Sequence, residues 1–386
     1  MPQVKPDVEA FARIKVLGVG GSGKHAINHM INSKVRGVDF VAINTDAQDL
    51  HHSLAKKKIH VGKNVTRGLG AGMNPDIGRK AAEETAEEIQ ESIKGSDMIF
   101  IAGGTGGGTF SGAAPVIAKM AKESGALTVA VCTKPFTFEG QQRGKIAENS
   151  INELRKCVDA IIIIPNDRLL GAIDKETTAK NAFALCDEVL KQAVEGISDL
   201  ITTPGEIANI DFADIRAIME NAGSALMGIG SATGEKRAEE AAKNAINSPL
   251  LELSIAGAKG VLFSIAGGDD LTMFEIQDAA KVITESVDPE AKIIFGTVNS
   301  TKLRKGEIKI TVIASGFPEN AIKKTLFHMG SDEKEEKKGK IFNALPSLSK
   351  DTSNSEEKKE SAPKAEDDND DDWSAVPAFL RRSKLK

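Results

Sequence analysis

The sequence predicts an α/β fold: a parallel sheet, a long central helix and a second, smaller α/β unit, followed by a disordered tail. Within the first 180 residues, short apolar runs alternate with helical segments, which is the pattern of βαβ units in a parallel sheet. A long helical pattern follows, and the alternation then resumes. Near residue 330 the apolar runs stop and charged residues dominate, which is typical of disorder.

The predicted elements follow in chain order. Apolar runs predict five strands in the first part, at Ile14–Val19, Asp39–Ile43, Met98–Ala102, Leu127–Cys132 and Ala160–Ile164. Apolar residues spaced by three and four predict the central helix over Asn181–Thr203, ended by Pro204-Gly205. A helix from Ala213 onward comes next. The second unit is predicted to contain a helix at Leu271–Ser286 and strands at Gly260–Ala266, Lys292–Thr297 and Glu307–Ala314.

Composition excludes several classes of protein. The chain has 386 residues and a formal net charge of −5, which argues against a general nucleic-acid binder. The longest apolar run, Ala160–Pro165, is far shorter than a membrane span, and the N-terminus carries no pattern of a signal peptide. Cys132, Cys157 and Cys186 are widely spaced, in no metal-binding or redox pattern. We therefore expect a cytoplasmic protein with no metal cluster of its own and no direct membrane insertion.

The last part of the chain divides into a linker and a terminal peptide. Ser331–Asp372 carries fourteen acidic and eight basic residues and few apolar ones, so it is predicted to be a disordered acidic linker. The last fourteen residues are apolar and then basic, with a net charge of +4. Phe379 and Leu380 are suited to an apolar groove, and the arginines beside them to acidic rims or anionic lipid headgroups. Trp373–Arg382 is therefore predicted to bind partners.

A first Gly-rich turn, Gly18–His25, follows a predicted strand and opens a helix. It matches the dinucleotide pattern G-x-G-x-x-G, with Asp46 at a suitable distance, and it matches the phosphate-loop pattern as far as Lys24. His25 then stands where that loop needs a hydroxyl. A third interpretation is a phosphate-binding turn that follows neither motif. The structural alternative is a tight turn in which the glycines only allow a positive φ. The three phosphate-binding interpretations all predict a phosphate at a helix N-terminus, and none of them identifies the nucleotide.

A second Gly-rich stretch, Gly103–Pro115, also lies between a strand and a helix. Two such turns at one sheet edge suit a triphosphate held from two sides better than the single pyrophosphate of a dinucleotide. Consecutive glycines allow close approach of the backbone to phosphate oxygens, and Thr109 and Ser111 add hydroxyl donors. This stretch therefore disfavours a Rossmann-type dinucleotide-binding oxidoreductase.

The second stretch, GGGTFSGAAP, resembles the signature of the tubulin/FtsZ family of GTPases. Further motifs of that family occur in the same order: NTD at 44–46, GLGAGMNP at 68–75, TKPF at 133–136 with FEG at 138–140 and Arg143, IPND at 164–167 and NIDFAD at 209–214. Their spacing is similar to that of the bacterial branch over residues 12–317, and the terminal peptide is similar to the family's tail. The resemblance implies a GTP-hydrolysing protein that polymerises head-to-tail into filaments of the bacterial division ring, at mid-cell beneath the inner membrane.

The resemblance also implies a division of the chain: 12–180 nucleotide-binding domain, 181–203 central helix, 204–317 second α/β domain, 318–372 linker and 373–386 terminal peptide. Its implied partners are further copies of the chain and, through Trp373–Arg382, membrane-tethering and regulatory division proteins.

The resemblance places GTP or GDP, with its Mg²⁺, among nineteen residues. Glu139 would accept the ribose hydroxyls with Arg143 beside them, Phe183 would lie on the guanine face, and Asn166 and Asp187 would bind its edge. A carboxylate can accept both adjacent guanine N–H donors, which favours this role for Asp187 over that of a solvated helix charge. The full set is Gly20, Gly21, Ser22, Gly23, Lys24, His25, Asn44, Asp46, Ala71, Gly106, Gly107, Gly108, Thr109, Phe110, Glu139, Arg143, Asn166, Phe183 and Asp187.

Neither Gly-rich stretch contains an acid or amide that could orient water for phosphoryl transfer. The resemblance implies that Asp211 and Asp214, with Asn209, enter the nucleotide site of the next subunit and complete it there. Such a heterologous contact generates an open filament. The alternative is that Asp214 only caps a helix and that Asp211 is a solvated charge.

Two residues depart from the family pattern. Phe110 stands where the family has glycine, and His25 where it usually has asparagine. A phenylalanine disfavours positive φ and would add a ring beside the phosphates. We therefore expect Phe110 to limit turnover or affinity, which keeps open a second hypothesis, a filament-forming GTP-binding structural protein with weak hydrolysis.

Overall fold

A computed structural model describes residues 12–171, 176–202, 210–248, 254–299 and 303–317. The strands are β1 (Ile14–Val19), β2 (Val38–Asn44), β3 (Lys57–His60), β4 (Met98–Gly104), β5 (Leu127–Lys134), β6 (Ala160–Pro165), β7 (Gly223–Thr233), β8 (Gly260–Gly267), β9 (Lys292–Asn299) and β10 (Glu307–Ser315). The helices are α1 (Gly20–Asn32), α2 (Ala47–His51), α3 (Lys63–Thr66), α4 (Pro75–Glu84), α5 (Ala86–Ile93), α6 (Gly108–Glu123), α7 (Gln141–Arg155), α8 (Asn166–Leu170), α9 (Ala179–Thr202), α10 (Phe212–Met219), α11 (Arg237–Ile246) and α12 (Met273–Thr284), with a 3₁₀ turn at Thr137–Glu139.

The strands form one sheet in the order β3-β2-β1-β4-β5-β6-β7-β10-β8-β9. Among the described strands, β10 runs antiparallel to its two neighbours and every other pairing is parallel. The second α/β part therefore extends the first sheet, joined to it where Ala160–Ile162 of β6 pair with Gly223–Ala225 of β7. The central strands are buried on both faces, which explains their uninterrupted apolar sequences.

Helices cover both faces of the sheet. On one face, α1, α9 and α10 pack over a core that runs from the first part into the second, from Ile14 to Ile313. On the other face, α4, α5, α6 and α7 enclose a core under the first part, and α11 and α12 enclose another under the second. None of the helices in the described ranges is long and apolar enough to span a membrane.

The long helix α9 runs from the edge of the sheet where the parallel strands end to the edge where they begin. Its last residue, Thr202, lies against the start of β2, where a Cβ on Gly37 would come within 2.4 Å of the threonine Cγ2. The helix α10 lies at the same edge, because Arg216 donates to the carbonyl of Gly125, just before β5, at 3.2 Å. The elements that follow α9 therefore lie at the edge where the parallel strands begin.

The structure adds two strands that the sequence did not predict. β7, GSALMGIGSAT, is rich in glycine and small residues that resemble a loop, yet Leu226 is buried on one face and Met227 on the other. β3 is only four residues long and begins with two lysines. The helix expected from Ala213 onward ends at Met219, before a turn in which Asn221 has a φ of 52°.

Candidate functional site

A cavity of about 670 Å³ lies at the edge of the sheet where β1, β4, β5 and β6 end. This is the position at which ligands bind in parallel α/β sheets. Thirteen of the predicted site residues line it: Gly20, Gly21, Ser22, His25, Gly107, Gly108, Thr109, Phe110, Glu139, Arg143, Asn166, Phe183 and Asp187.

Two helix N-termini meet at one end of this cavity. α1 begins at Gly20 and α6 at Gly108, and in both the cap position has no side-chain hydrogen bond to the helix and the first turn has no acidic residue. The free N–H groups and the helix dipoles therefore face the cavity without competition from a side-chain oxygen. This arrangement favours an anion, and the two termini together suit a chain of phosphates.

Close backbone packing fixes the two turns to each other. A Cβ on Gly18 would lie 2.5 Å from the carbonyl oxygen of Gly23, and one on Gly23 would lie 2.5 Å from the carbonyl oxygen of Ala102. The Gly104 N–H also donates to Ser22 Oγ at 2.6 Å. The turn after β1 is therefore held directly on the end of β4, which places both helix termini at one site.

Phe110 does not crowd the cavity, and the expectation that its ring stands beside the phosphates is wrong. The residue belongs to α6 and has no positive φ. Its side chain is 2% exposed and packs in the core, where a Cβ on Gly103 would come within 2.2 Å of the ring. The ring thus fills the space that glycine leaves at position 103.

Lys24, Asn44 and Asp46 form a layer behind the cavity. Lys24 is buried and forms an ion pair with Asp49, which also accepts from Asn44 Nδ2 at 2.8 Å. Asp46 caps α2 by accepting from the Asp49 N–H at 2.9 Å. These residues therefore stabilise the turn after β2 and do not line the cavity.

Three further predicted residues, Gly23, Ala71 and Gly106, also lie outside the lining. Gly23 is enclosed by the backbone of β4, as described above, and the methyl group of Ala71 would be 2.8 Å from a Cβ on Gly108. Gly106 has a φ of +89° and leads the chain from β4 into α6. All three support the Gly-rich turns rather than the cavity surface.

Glu139 and Arg143 form an ion pair on the wall of the cavity. The Glu139 carboxylate also accepts from the Phe136 N–H at 3.0 Å, which anchors it at the start of the 3₁₀ turn. Both the predicted ligand roles and the simple ion pair remain compatible with this geometry, because the pair borders the cavity.

The opposite end of the cavity is aromatic and polar. Phe183 is 48% exposed and stands edge-on to Phe136, with ring centres 5.3 Å apart. Asn166 is 5% exposed, and its Oδ1 finds no hydrogen-bond partner among the described residues. A buried polar atom without a partner costs about 1–3 kcal/mol, so this amide is suited to a ligand.

Asp187 lies deep in the same end of the cavity. Burial raises the pKa of its carboxyl group to about 6, although His29 and Lys24 act in the opposite direction. The cause of the shift is the removal of the carboxylate from water. A planar ligand with two adjacent N–H groups could donate to this carboxylate.

His25 is a neutral donor or acceptor at the cavity wall. Burial and, next, the charge of Lys24 lower the pKa of its imidazole, while Asp49 opposes the change. His25 therefore adds no positive charge at neutral pH, unlike a cationic phosphate ligand.

Sequence reasoning missed part of the lining. The missed residues come from the ends of β4 and β5 and from one face of α9: Gly104, Thr105, Thr133, Pro135, Lys180, Ala184, Cys186 and Leu190. Helical spacing was the available signal, since Lys180, Phe183, Ala184 and Asp187 are three or four residues apart on one face. Burial raises the pKa of the Cys186 thiol to about 12, so that side chain is protonated.

Asp211 and Asp214 lie away from the cavity, at the edge where the strands begin. They form a capping box at the start of α10, in which Asp211 Oδ1 accepts from the Asp214 N–H at 2.8 Å. The alternative predicted Asp214 as the cap and Asp211 as a solvated charge, whereas the structure has Asp211 as the cap residue and Asp214 as its partner at the third helical position. The Asp211 side chain is exposed and that of Asp214 is partly exposed. Asn209 and the peptide Trp373–Arg382 lie outside the described residues.

Comparison with known proteins gives a consistent result. Residues 13–174 match the profile of the Tubulin/FtsZ family, GTPase domain, and residues 223–318 match that of the FtsZ family, C-terminal domain. An empty FtsZ dimer from M. jannaschii is 45% identical, with a TM-score of 0.75, over 79% of this chain and 88% of that chain. A mutant FtsZ from the same organism, also 45% identical with a TM-score of 0.75, is matched over 80% of this chain and 92% of that chain.

A more distant structure shows the same fold. CetZ2 from Haloferax volcanii, a GTPγS-bound protofilament, is 20% identical with a TM-score of 0.68, over 83% of this chain and 100% of that chain. The predicted fold class is confirmed by these matches.

Removal of the Phe110 ring is expected to destabilise the protein. Phe110→Ala leaves a cavity against Gly103, and such substitutions cost about 3–5 kcal/mol. Urea unfolding followed by circular dichroism would measure the loss. The matched control is Phe274→Ala, since that ring is 80% exposed on α12 and its removal should cost under about 0.5 kcal/mol. Equal midpoints for the two variants would contradict the packing described here.

Proposed function

Because the chain belongs to the tubulin/FtsZ family of GTPases, we propose that it hydrolyses GTP while polymerising head-to-tail into filaments of a prokaryotic division ring. The observation that carries this proposal is the separation of two half-sites. A cavity suited to a nucleotide lies at one edge of the sheet, and the accessible Asp211–Asp214 pair lies at the other. A subunit stacked on the next would bring the two together.

The cavity suggests how GTP is oriented. The phosphates lie at the N-termini of α1 and α6, where N–H groups are free. The ribose lies beside Glu139 and Arg143. The guanine ring lies against Phe183, with its N–H edge toward Asp187 and its remaining polar atoms near the unpartnered amide of Asn166.

Mg²⁺ is proposed to bind with the nucleotide. In the described ranges, no group of three or more His, Cys, Asp or Glu side chains is arranged to hold a metal ion. Mg²⁺ keeps several waters and is often held by substrate phosphates with one or two protein oxygens. The Thr109 hydroxyl at the cavity, 2.7 Å from that of Thr45, is an oxygen of this kind, so the residues fit an ion carried by the phosphates. When bound, the ion neutralises phosphate charge.

Hydrolysis is proposed to be completed in trans. Among the described residues, the cavity lining contains two carboxylates, and both have other roles: Glu139 is paired with Arg143, and Asp187 lies at the base end. Asp211 and Asp214 of a neighbouring subunit would orient the water, with Asn209 on the phosphate side. The capping box is compatible with this role because it uses few of the lone pairs of either carboxylate.

The remaining proposals concern location and partners. We place the protein in the cytoplasm at mid-cell, beneath the inner membrane, attached through Trp373–Arg382 to membrane-tethering and regulatory division proteins. The motifs favour the bacterial branch of the family, whereas the two structures at 45% identity are from M. jannaschii, an archaeon. The proposal therefore covers prokaryotic division in general.

The weak-hydrolysis hypothesis loses its main support in the structure. It was based on a ring beside the phosphates, and Phe110 is instead part of the core. Phe110→Gly should therefore not raise GTP turnover. The oxidoreductase hypothesis is disfavoured by family membership.

Asp187→Asn is expected to weaken guanine-nucleotide binding about ten- to a hundredfold, because an amide N–H would face the guanine N–H groups without an acceptor. In the wild type, guanine favours the ionised carboxylate. The contribution of Asp187 to nucleotide affinity should therefore be constant above about pH 6. Below that pH, protonation of the carboxylate should lower the affinity by up to about tenfold per pH unit. Titration of a fluorescent GDP between pH 5 and 8 would measure both effects.

The Asp187→Asn variant also distinguishes the pH effect of Asp187 on binding from that of His25. Protonation of His25 at low pH adds positive charge near the phosphates and should strengthen binding, so its effect has the opposite sign. The matched control is Asp278→Asn, an exposed carboxylate on α12. The assignment fails if Asp187→Asn binds like the wild type or keeps the loss of affinity below pH 6.

Asp214→Ala is expected to bind GTP normally but to lose about a hundredfold or more of its turnover. A mixture of Asp214→Ala and Asp187→Asn should hydrolyse more GTP than the two variants do separately in sum. In a mixed filament, the intact cavity of an Asp214→Ala subunit can face the intact Asp214 of an Asp187→Asn subunit. Phosphate release against protein concentration would measure this, with Asp278→Ala as control. A mixture no more active than its components would reject completion of the site in trans.

Deletion of residues 373–386 is expected to leave GTP hydrolysis and polymerisation unchanged and to abolish recruitment to the membrane in cells. The control is a deletion of equal length in the linker, residues 351–364, which should retain recruitment. Loss of polymerisation in the first variant alone would show that the terminal peptide is part of the fold.

A further inference from the structure

The first Gly-rich turn contains a lysine that the proposed function does not use. Lys24 is the only lysine or arginine in α1. In phosphate loops, the lysine at this place in the motif reaches the phosphates of the nucleotide. Here its neighbours Gly21, Ser22 and His25 line the cavity, whereas Lys24 is buried and is not part of the lining. The cation nearest to the start of α1 is therefore held away from the cavity surface.

The group that holds Lys24 is Asp49, on α2. One oxygen of the Asp49 carboxylate pairs with Lys24 Nζ, and the other, Oδ2, accepts from Asn44 Nδ2 at 2.8 Å. The Asp49 N–H donates to Asp46 Oδ1 at 2.9 Å, which fixes the backbone of this residue as well. Because the lysine is buried, solvent and salt screen its attraction to the carboxylate only weakly. Asp49 therefore both positions the lysine and neutralises its charge.

This ion pair lies directly behind the cavity surface. A Cβ on Gly21, which lines the cavity at the start of α1, would lie 3.5 Å from Asp49 Oδ2. The two charges also act on side chains of the lining. Burial and then Lys24 lower the pKa of His25, while Asp49 raises it. Burial raises the pKa of Asp187, and Lys24 is one of the two charges that oppose this change. An anionic ligand in the cavity would therefore respond to a change in either charge.

We propose that Asp49 limits the affinity of the cavity for nucleotide phosphates by withholding the charge of Lys24, which makes Asp49 a positioning residue for the ligand. The inference rests on the proposed function, because it requires phosphates at the N-termini of α1 and α6. Those termini attract anions through their backbone N–H groups. An uncompensated lysine behind them would add the attraction of a full charge. The ion pair keeps the affinity at the level that the helix termini set, so that GDP dissociates more readily.

The proposal predicts that the two partners of this ion pair affect binding with opposite sign. Asp49→Asn leaves the charge of Lys24 without its counter-charge, so GDP should bind about tenfold more tightly. Lys24→Gln keeps a donor for Asp49 but leaves the negative charge behind Gly21, so GDP should bind about tenfold more weakly. The double variant is again neutral and should bind within about threefold of the wild type. A merely structural role would weaken binding in both single variants.

Ligands with different numbers of phosphates test whether the effect is electrostatic. The change in affinity caused by each substitution should be absent for guanosine, present for GDP and largest for a non-hydrolysable GTP analogue. Added salt should reduce the change, because it screens the ligand charge. Competition against a fluorescent GDP, with full-length protein and Mg²⁺ present, measures all three affinities.

The matched control is Glu239→Gln, which removes an acid from an exposed ion pair with Lys243 on α11 and should leave all three affinities unchanged. Lys24→Met is a second variant should Lys24→Gln fail to fold, as judged by urea unfolding. Three results would each overturn the proposal: GDP affinity that is unchanged in Asp49→Asn, weaker GDP binding in both single variants, or a change for guanosine as large as that for GDP.

Failure of the proposed function gives a different result. A wild type that binds GDP no more tightly than guanosine has no phosphate site at α1 and α6, which rejects the placement of the nucleotide together with this inference. A wild type that prefers GDP to guanosine, with Asp49 and Lys24 variants that keep its affinities, rejects the inference alone.

Discussion

The candidate site depends on a backbone-to-backbone contact that excludes side chains. The turn after β1 lies so close to the end of β4 that no Cβ fits at Gly23, and it folds so tightly on itself that none fits at Gly18. This contact sets the distance between the start of α1 and the start of α6, and so fixes where their free N–H groups point. Positioning by backbone leaves the cavity surface open to ligand, since no bulky side chain is required to hold the loops.

A second constraint is the length of α9. Its first turns line the cavity through Phe183 and Asp187, and its last residue packs at the start of β2. The His29 Nε2 and Glu188 Oε2 atoms, 2.8 Å apart, fix α9 to α1 just beside Asp187. One rigid helix therefore separates the base end of the cavity from the segment that leads to Asp211, which is why the two half-sites lie on opposite edges of a single chain.

Much of this arrangement follows from sequence pattern, and the exceptions have physical causes. Strands such as β4 were predicted because burial on both faces demands an unbroken apolar run. β7 was missed because its small residues pack well against helices yet resemble a loop. Lys24 belongs to the motif yet does not line the cavity, because a motif fixes a residue's position in the chain, whereas the direction of its side chain depends on a partner, Asp49, that the motif does not include.

The packing of Phe110 against Gly103 has a consequence for the evolution of this family. The two positions share one volume, so a side chain at 103 is compatible only with a small residue at 110, and a ring at 110 requires glycine at 103. The two positions are expected to covary across relatives, with the change at 110 tolerated only on a background that already has glycine at 103. The departure at 110 within the signature motif is therefore a matter of core packing, and its effect on the protein depends on the residue at 103.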